Sequence, residues 1–346
     1  MNILLIPLAK LFGIITSVRN TLFNLGVFKS YSFKIPIICI GNLSAGGTGK
    51  TPHTDYITNL LESEYKVAII SRGYKRKNYN FKYVKINDSV SDVGDESIML
   101  KRKNPNCLVA VCGDRVNAIK KIIKEHDEIN VILLDDGFQH RWIKAGMNIL
   151  LTSANNPFYL DNHLPYGTLR EKITECKRAD KIIITNNLDL SNEKEKNKII
   201  KNITKYSNEK CYFTAVEYLK YKNIFNNDQI KDISEYHVVL VSGIANTDAL
   251  TTHLKKNTTI VKHFKFKDHH NFSNEDIDDI LLYYNSSRKI KRLILTTEKD
   301  SIRLFKFEQK FKNTLVYYLP IRIKFQNQLS FDKELKEYVR KNKRNS

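Results

Sequence analysis

The sequence has few cysteines, few prolines and no long uninterrupted apolar run. Its 346 residues include five cysteines and seven prolines. The cysteines are odd in number and form no C-x-x-C pair, which argues against a zinc site or a disulfide framework and fits a reducing compartment. A mean hydropathy of −0.40 with 27% charged residues excludes a polytopic membrane protein, because such a protein needs repeated apolar stretches of ~20 residues.

Acidic residues are also scarce relative to basic ones. Lysine and arginine total 57 against 37 aspartates and glutamates, which gives a net charge of +20. Such a charge favours polyanionic partners, namely nucleic acid, an anionic membrane face or a phosphorylated substrate. A compositional drift toward surface lysine explains it equally well, as in the lysine-rich residues 191–210. Charge alone therefore leaves the class of partner open.

Enough apolar residues are present for a folded chain of two domains. Hydrophobic residues make up 42% of the 346 residues, and this length suits two domains of roughly 100–200 residues each. Short β-branched apolar runs alternate with helical stretches, which predicts an α/β fold with a doubly wound, mostly parallel sheet. The predicted strands are residues 35–40, 66–70, 108–111, 131–134, 147–151, 181–184, 236–241, 259–263, 292–296 and 314–319.

A Lys/Asn/Glu-rich stretch that ends near residue 210 separates these strands into two sets. We therefore predict a first α/β domain at residues 29–212 and a second, smaller α/β domain at residues 213–346. Both follow an N-terminal segment, residues 1–28, that is predicted to be helical and to associate with a membrane.

That segment reads ILLIPLAKLFGIITSVRNTLFNLGVF over residues 3–28. It lacks the basic start and the small-residue cleavage site of a secretory signal. Lys10 and Arg19 interrupt the apolar run and argue against a spanning helix. An amphipathic helix lying in one leaflet is the preferred interpretation, with basic residues at the headgroups. A helix packed on the protein's own core is the alternative.

The strongest motif is glycine-rich and follows the first predicted strand directly. Residues 41–51 read GNLSAGGTGKT and precede a predicted helix. In a phosphate-binding loop, backbone N–H groups approach phosphate oxygens, the lysine reaches the β- and γ-phosphates, and the hydroxyl residue ligates Mg²⁺. Ser44 stands where the usual pattern has its first glycine. The predicted nucleotide-phosphate site consists of Ser44, Ala45, Gly46, Gly47, Thr48, Gly49, Lys50 and Thr51.

A second polar segment, DDGFQH at residues 135–140, follows another apolar strand. Open α/β sheets bind ligands at the carboxyl ends of their parallel strands, so Asp135 and Asp136 are placed to hold Mg²⁺ directly or through water. Taken alone, Asp-Asp-Gly would be interpreted as a turn or a cap. Beside a phosphate-binding loop, a metal site is the better interpretation.

Three further segments remain open on residue chemistry alone. The basic residues of SRGYKR, residues 71–76, either meet phosphate or form a solvated turn. The carboxylates of GDE, residues 94–96, also suit a helix N-terminus. FKDHHNF, residues 266–272, offers a general base, a metal ligand or a hydrogen-bonded turn.

The types of these motifs and their order along the chain resemble those of the tetraacyldisaccharide 4′-kinase family, the kinases of the lipid A pathway. The resemblance covers nearly the whole chain. The matching segments are GNLSAGGTGKTP (41–52), SRGY (71–74), GDE (94–96), DDGFQH (135–140), LPYGTLRE (164–171), SGIAN (242–246), DHHNF (268–272), TTEKD (296–300) and YLPI (318–321).

The resemblance implies a P-loop NTPase-like fold and transfer of the ATP γ-phosphoryl group to the 4′-hydroxyl of a tetraacylated glucosamine disaccharide 1-phosphate. The product would be lipid IVA, made at the cytoplasmic face of the bacterial inner membrane by a peripheral or monotopic enzyme. No nucleic-acid partner is implied. Lys50 would stabilise charge on the transferring group, while Thr51 with the pair Asp135 and Asp136 would organise Mg²⁺.

The resemblance also implies a catalytic pair for the sugar hydroxyl. Asp95 would be the general base and His269 would orient it as a dyad across a domain cleft, with Glu96 as the second choice of base. Arg72 would contact ATP or the 1-phosphate of the acceptor. The phosphate and metal surroundings would be completed by Gln139, His140, Arg170 and Glu171.

The basic residues that contribute to binding are expected where bilayer and glycolipid meet the enzyme, near Lys10, Arg19, Arg72, Lys75 and Arg76.

Two other classes of protein remain as alternatives. A membrane-peripheral P-loop ATPase without a lipid acceptor would hydrolyse ATP alone, but it gives the GDE and DHHNF segments no role. A nucleic-acid-binding protein is supported only by the net charge, and the sequence has no recognisable nucleic-acid module.

Overall fold

The structure is a computed structural model that describes residues 3–185, 192–226, 228–286 and 290–342. The first two residues of the predicted N-terminal segment and the last four of the predicted second domain lie outside these ranges, as does Ser191.

Ten strands of the described chain lie close to the predicted apolar runs, whereas the strands at residues 82–83, 211–218, 221–223, 229–230 and 321–325 were not predicted. The strands are β1 (Ile37–Asn42), β2 (Val67–Ser71), β3 (Lys82–Tyr83), β4 (Leu108–Val111), β5 (Val131–Asp135), β6 (Met147–Ser153), β7 (Lys181–Thr185), β8 (Cys211–Tyr218), β9 (Tyr221–Asn223), β10 (Gln229–Ile230), β11 (His237–Ser242), β12 (Thr259–Lys265), β13 (Arg292–Thr297), β14 (Val316–Leu319) and β15 (Ile321–Phe325).

Helices connect most of these strands. They are α1 (Ile6–Asn24), α2 (Lys50–Glu62), α3 (Val90–Val93), α4 (Asp95–Lys103), α5 (Arg115–Glu125), α6 (Glu193–Ile203), α7 (Asp248–Leu254), α8 (Asn274–Asn285), α9 (Glu298–Leu304) and α10 (Gln328–Asn342). Local caps fix several starts. Asp114 accepts the N–H of Asn117 at the start of α5, and Ser273 with Asp276 forms a capping box before α8.

Within the described residues, nine strands form the larger sheet in the order β15-β8-β7-β6-β1-β5-β2-β4-β3. Neighbouring strands from β8 to β4 run parallel, and β3 pairs antiparallel with β4. Strands β1, β2 and β5 are buried along their whole length, as expected for a sheet with both faces covered. The predicted α/β class with a mostly parallel sheet is confirmed.

The order of this sheet identifies its ligand-binding edge. From β1 the chain moves to β2 on one side, and from β5 it later crosses to β6 on the other side of β1. In open α/β sheets, such a change of direction creates a crevice at the carboxyl ends of the strands. The glycine-rich segment follows β1 and DDGFQH begins at the end of β5, so both lie at this edge.

A smaller sheet is formed by six strands of the described chain in the order β10-β9-β14-β13-β11-β12. Strands β14, β13, β11 and β12 run parallel, whereas β9 pairs antiparallel with β14 and with β10. Two buried apolar clusters, one containing Leu240 and Leu295 and the other Val241 and Ile294, supply the core of this sheet.

The chain divides into two compact units, which corrects the predicted end of the second domain. The first unit comprises Met1–Val216 and Ile323–Ser346, and the second comprises Glu217–Arg322. Helix α10 returns to the first unit because its Phe331 ring packs on Tyr212, with ring centroids 5.1 Å apart, and its Tyr338 hydroxyl donates to the Ile37 carbonyl oxygen. An amphipathic helix shows the same periodicity whichever sheet it covers, so the sequence did not reveal this return.

Helix α1 exposes its apolar residues and buries small and polar ones. Its outward side chains, each 53% to 60% exposed, are Leu8, Leu11, Ile14, Ile15 and Val18. Its buried residues are Ala9, Gly13, Thr16, Asn20 and Phe23. Helix α1 therefore packs on the protein through one face, where Phe23 meets the Trp142 ring, while most of its large apolar side chains face outward. In the described ranges, no helix combines the length and apolar character needed to cross a membrane.

Candidate active site

The glycine-rich segment forms the turn between β1 and α2. Helix α2 begins at Lys50, directly after Gly49, whose φ of 82° lies in the left-handed region that favours glycine. The N–H groups in the first turn of a helix lack intrahelical partners and attract anions. Strand, turn and helix N-terminus therefore follow one another here as they do in phosphate-binding loops.

Hydrogen bonds hold this loop from several sides. The Asn42 amide donates to Thr48 Oγ1 at 2.7 Å, and the Thr185 hydroxyl donates to the Thr48 carbonyl oxygen at 3.1 Å. The backbone N–H of Ala45 donates to the Thr168 carbonyl oxygen at 2.7 Å. This last bond joins the loop to the LPYGTLRE segment, more than 120 residues away in sequence.

The loop and the DDGFQH segment approach each other closely through a glycine. A Cβ atom added to Gly41 would lie 2.5 Å from the Cβ of Phe138. Only glycine fits such a contact without displacing the neighbouring backbone. The two predicted halves of the site are therefore packed directly together.

Lys50, Asp136 and Arg170 meet beside the loop. Arg170 Nη2 donates to Asp136 Oδ1 at 2.9 Å, and Lys50 Nζ lies 3.8 Å from the same oxygen. Arg170 also donates to the side-chain oxygen of Asn42. Burial raises the pKa of Asp136, but the charges of Lys50 and Arg170 outweigh it and hold that pKa at about 2. Two cations and an ionised carboxylate thus lie at the start of α2.

Asp135 has the opposite electrostatic environment. It is buried and accepts a hydrogen bond from Thr54 Oγ1 at 2.9 Å. Burial, followed by the negative charges of Glu96 and Asp136, raises its pKa. Asp135 therefore lies in a buried position with two other carboxylates nearby.

This donor set suits Mg²⁺, which prefers hard oxygen ligands. Thr51, Asp135 and Asp136 supply a hydroxyl and two carboxylates at one edge of the sheet. Among the described residues, no group of three or more acidic, histidine or cysteine side chains is arranged to enclose a metal. Mg²⁺ usually keeps waters and substrate phosphates among its ligands, so a partial protein set fits it.

Arg115, the first residue of α5, belongs to this site although sequence reasoning missed it. Burial and the nearby charge of Arg72 lower the pKa of its guanidinium to about 10, and the charge of Asp136 opposes this shift. Arg72 and Asp136 therefore both lie within electrostatic reach of Arg115. The available signal was GDR at residues 113–115, which follows β4 at the same sheet edge.

Gln139 and His140 continue the DDGFQH segment. Gln139 donates from Nε2 to the Asn42 carbonyl oxygen at 2.8 Å. Burial, followed by the charge of Arg115, lowers the pKa of His140 to about 3, so its ring is neutral at pH 7. Gln139 Oε1 and His140 Nε2 are buried without a hydrogen-bond partner, and such atoms normally have one.

Glu171 lies in a different environment from the predicted one. It is fully buried, and its carboxylate accepts from Arg19 Nη2 at 2.7 Å, Asn20 Nδ2 at 3.0 Å, Arg178 Nη2 at 2.5 Å and Gln139 Nε2 at 3.3 Å. Four donors occupy its four acceptor positions. Glu171 therefore connects α1 to the site, which corrects its predicted place among the phosphate and metal contacts.

Arg19 and Arg76, which were expected where bilayer and glycolipid meet the enzyme, make contacts within the protein. Arg19 pairs with the buried Glu171. Arg76 is only 4% exposed and donates from Nε to the Arg72 carbonyl oxygen at 3.1 Å. Each is engaged inside the protein, where it stabilises the fold.

The SRGY and GDE segments pack against each other. Asp95 begins α4 and is buried, and Gly94 before it has a φ of 85°. A Cβ added to Gly94 would lie 3.1 Å from the Tyr74 carbonyl oxygen, and one on Gly73 would lie 2.9 Å from the Val93 carbonyl oxygen. The glycines let the two loops approach, so the segments that carry Arg72 and Asp95 share one edge of the first unit.

In the second unit, the turns after β11, β12 and β13 meet around the two histidines of DHHNF. His269 donates its backbone N–H to the Gly243 carbonyl oxygen at 3.1 Å, and its Nε2 lies 2.9 Å from Lys299 Nζ. His270 has a structural role, because its Nε2 bonds to Asp276 at 2.7 Å and its ring stacks on Phe266. The structure therefore distinguishes between the two histidines, which the sequence could not.

A parallel sheet with a glycine-rich loop at a helix N-terminus, and with cations and carboxylates at the same edge, defines the class of P-loop nucleotide-dependent enzymes. Within that class, the family model described as LpxK, tetraacyldisaccharide-1-P 4′-kinase, matches residues 1–340 of this sequence. The chain belongs to this family.

Individual relatives agree with the family match. The tetraacyldisaccharide 4′-kinase of Flavobacterium psychrophilum is 39% identical over 342 residues, covering 97% of this chain and 96% of the relative. That of Phocaeicola vulgatus is 37% identical over 352 residues, covering 99% and 96%. Among solved structures, the "apo" form of LpxK from Aquifex aeolicus in complex with ATP superposes with a TM-score of 0.77 at 27% identity, covering 97% of this chain and 98% of that chain.

Proposed function

We propose that this chain transfers the γ-phosphoryl group of ATP to the 4′-hydroxyl of a tetraacylated glucosamine disaccharide 1-phosphate, with lipid IVA as the product. The observation that carries the proposal is the meeting of Lys50, Asp136 and Arg170 beside the phosphate-binding loop. Membership of the 4′-kinase family over residues 1–340 supports the acceptor, and the ATP complex of the Aquifex relative supports the donor.

The cations of the site fit a reaction in which positioning and charge stabilisation supply most of the catalysis. Lys50 and the N-terminus of α2 would receive the β- and γ-phosphates. Arg170, held by Asp136 and Asn42, would stabilise negative charge on the transferring group. Because these partners orient Arg170 in advance, little reorganisation is needed when the charge develops.

Thr51, Asp135 and Asp136 would hold Mg²⁺ next to the phosphates. The bound ion would offset charge on the β- and γ-oxygens. Burial and then the charges of Glu96 and Asp136 raise the pKa of Asp135, and a cation bound here would offset both effects.

The hydroxyl acceptor is a weak nucleophile and needs a base within hydrogen-bond reach. We propose Asp95 as that base and His269 as the group that orients it, with Glu96 as the second choice of base. The buried position of Asp95 at the start of α4, on the loop that packs against SRGY, supports this role. Arg72 and Arg115 are proposed to receive the 1-phosphate of the acceptor or a phosphate of ATP.

The nature of the acceptor and the exposed surface of α1 support a membrane location. We propose that the exposed apolar face of α1 lies on the cytoplasmic face of the inner membrane, where an acylated substrate is available. Substituting Leu11 and Ile15 with Asp should reduce sedimentation with anionic vesicles while ATP binding is retained. The matched control replaces the exposed Leu282 and Leu329 with Asp. Equal sedimentation of both variants would contradict the proposal.

The proposed reaction is tested with γ-labelled ATP and the disaccharide 1-phosphate acceptor. We expect a lipid-soluble labelled product from the natural chain and none from Lys50→Met. Release of labelled phosphate at the same rate with and without acceptor, and no labelled lipid, would instead support an ATPase without a lipid acceptor.

A further inference from the structure

The backbone of His269 has an uncommon conformation. Its φ is 57°, in the left-handed region that few residues other than glycine occupy. Strained backbone of this kind persists only where surrounding contacts impose it. Here the His269 N–H donates to the Gly243 carbonyl oxygen, and the side chain is only 12% exposed. The surrounding residues therefore fix this histidine in place.

Helix α9 supplies that support. Asp300 is fully buried and accepts the Gly243 N–H at 2.9 Å. Arg303 donates to the Gly243 carbonyl oxygen at 3.0 Å and to the His270 carbonyl oxygen at 2.9 Å. Two side chains of α9 therefore join the turn after β11 to the turn that carries His269. This gives the SGIAN and TTEKD segments a structural reason to accompany DHHNF.

Lys299 contacts the imidazole itself. Its Nζ lies 2.9 Å from His269 Nε2 and 3.4 Å from Asp268 Oδ1. A lysine ammonium has three donors and no acceptor, so His269 Nε2 is the acceptor in this contact. A neutral imidazole that accepts at Nε2 carries its hydrogen on Nδ1. Asp268 keeps Lys299 beside the ring by pairing with the ammonium.

We propose that Lys299 is a positioning residue that fixes the tautomer of His269 with its hydrogen on Nδ1. The inference rests on the proposed function, in which His269 orients the general base. With the other tautomer, Nδ1 would be an acceptor and the ring could not donate a hydrogen bond from that nitrogen. The loss of an orienting partner in this way typically costs ~10- to 100-fold in activity.

The first test is kinetic. Lys299→Met removes the donor while keeping a long side chain, and we expect kcat for the disaccharide to fall about 10- to 100-fold with the KM for ATP unchanged. Lys299→Arg restores donors near His269 and should recover most of kcat. Lys306→Met is the matched control, because exposed Lys306 donates to Asn271 Oδ1 on the same loop as His269.

The second test observes the tautomer directly and needs no turnover. In full-length protein labelled with ¹⁵N-histidine, the His269 resonances are assigned by their loss in His269→Gln. We expect an Nδ1–H tautomer in the natural protein and in Lys306→Met, and a shift toward Nε2–H in Lys299→Met. If the natural enzyme transferred no phosphate to the disaccharide, the proposed function would fail while this comparison still decided the role of Lys299.

The two readouts must change together. A changed tautomer with unchanged kcat would overturn the inference, because His269 would then not transmit the effect of Lys299. A lower kcat with an unchanged tautomer would also overturn it, because Lys299 would then act directly. Lys299→Gln, which keeps a neutral donor, provides the same comparison if the methionine variant does not fold.

Discussion

The buried carboxylate of Glu171 allows a stability prediction whose size follows from its contacts. Glu171 is fully buried and accepts hydrogen bonds from Arg19, Asn20, Gln139 and Arg178. Replacing it with Gln keeps the shape, removes the negative charge and replaces one acceptor oxygen with a donor. Two guanidinium groups would then face a neutral side chain.

Removing one partner of a buried ion pair commonly costs ~3–5 kcal/mol. The side chains of Arg19 and Arg178 are 30% and 22% exposed, so water can partly compensate them once the carboxylate is gone. We therefore expect a loss of about 2–3 kcal/mol in the free energy of unfolding. For a unit of this size, ~2–4 °C is lost per kcal/mol, which corresponds to a fall in Tm of roughly 5–10 °C.

Thermal unfolding of Glu171→Gln and of a matched surface variant tests this value. The control is Glu64→Gln, because Glu64 is half-exposed and pairs with Lys336 at the surface of the same unit. Such pairs contribute only ~0–1 kcal/mol, so its Tm should hardly change. If both variants melted together, the buried carboxylate would not stabilise the junction between α1 and the site, and the reasoning would be refuted. Faster tryptic cleavage after Arg19 in Glu171→Gln, but not in Glu64→Gln, would support a stabilising role for the buried carboxylate.

Two further predictions concern the site itself. Asp95→Ala should lower kcat by ~10²–10⁴ with little change in the KM for ATP, as expected for loss of a general base. The control Asp92→Ala, an exposed change on the preceding helix, should leave kcat unchanged. Normal turnover of Asp95→Ala would show that Asp95 is not the base. Because the pKa of His140 falls from 6.5 to about 3 on folding, its contribution to stability is present above pH 6.5 and lost as the pH falls toward 3. Urea midpoints from pH 7 to 4.5 should therefore fall less steeply in His140→Gln than in the natural chain, and parallel slopes would contradict this.

The larger sheet was predictable because its strands are buried on both faces. Such strands appear in the sequence as continuous β-branched runs, and residues 108–111 and 131–134 correspond to β4 and β5 with at most one residue of difference. The site at their carboxyl ends was predictable for the same reason. Parallel strands deliver the residues that follow them, such as Lys50 and Asp136, to one edge of the sheet.

Contacts between distant parts of the chain were not predictable. The bond from Ala45 to the Thr168 carbonyl oxygen and the approach of Arg115 to Asp136 depend on how loops fold back over the sheet. No periodicity marks such contacts, because each involves one side chain in an irregular segment. The partners of Glu171 belong to the same category, because the resemblance implied only that Glu171 helps to complete the phosphate and metal surroundings.

The net charge of +20 was the least informative signal, and the structure shows why. The basic residues of this protein make different kinds of contact, and the net charge does not distinguish between them. Arg19 and Arg178 neutralise a buried carboxylate, and Arg76 is buried against a carbonyl oxygen. The cations that can recognise a phosphate are those around Asp136, where the charges of Lys50 and Arg170 exceed that of the carboxylate they share. An excess of positive charge at a helix N-terminus selects phosphate whatever the charge elsewhere on the surface, so substrate recognition follows from this local arrangement.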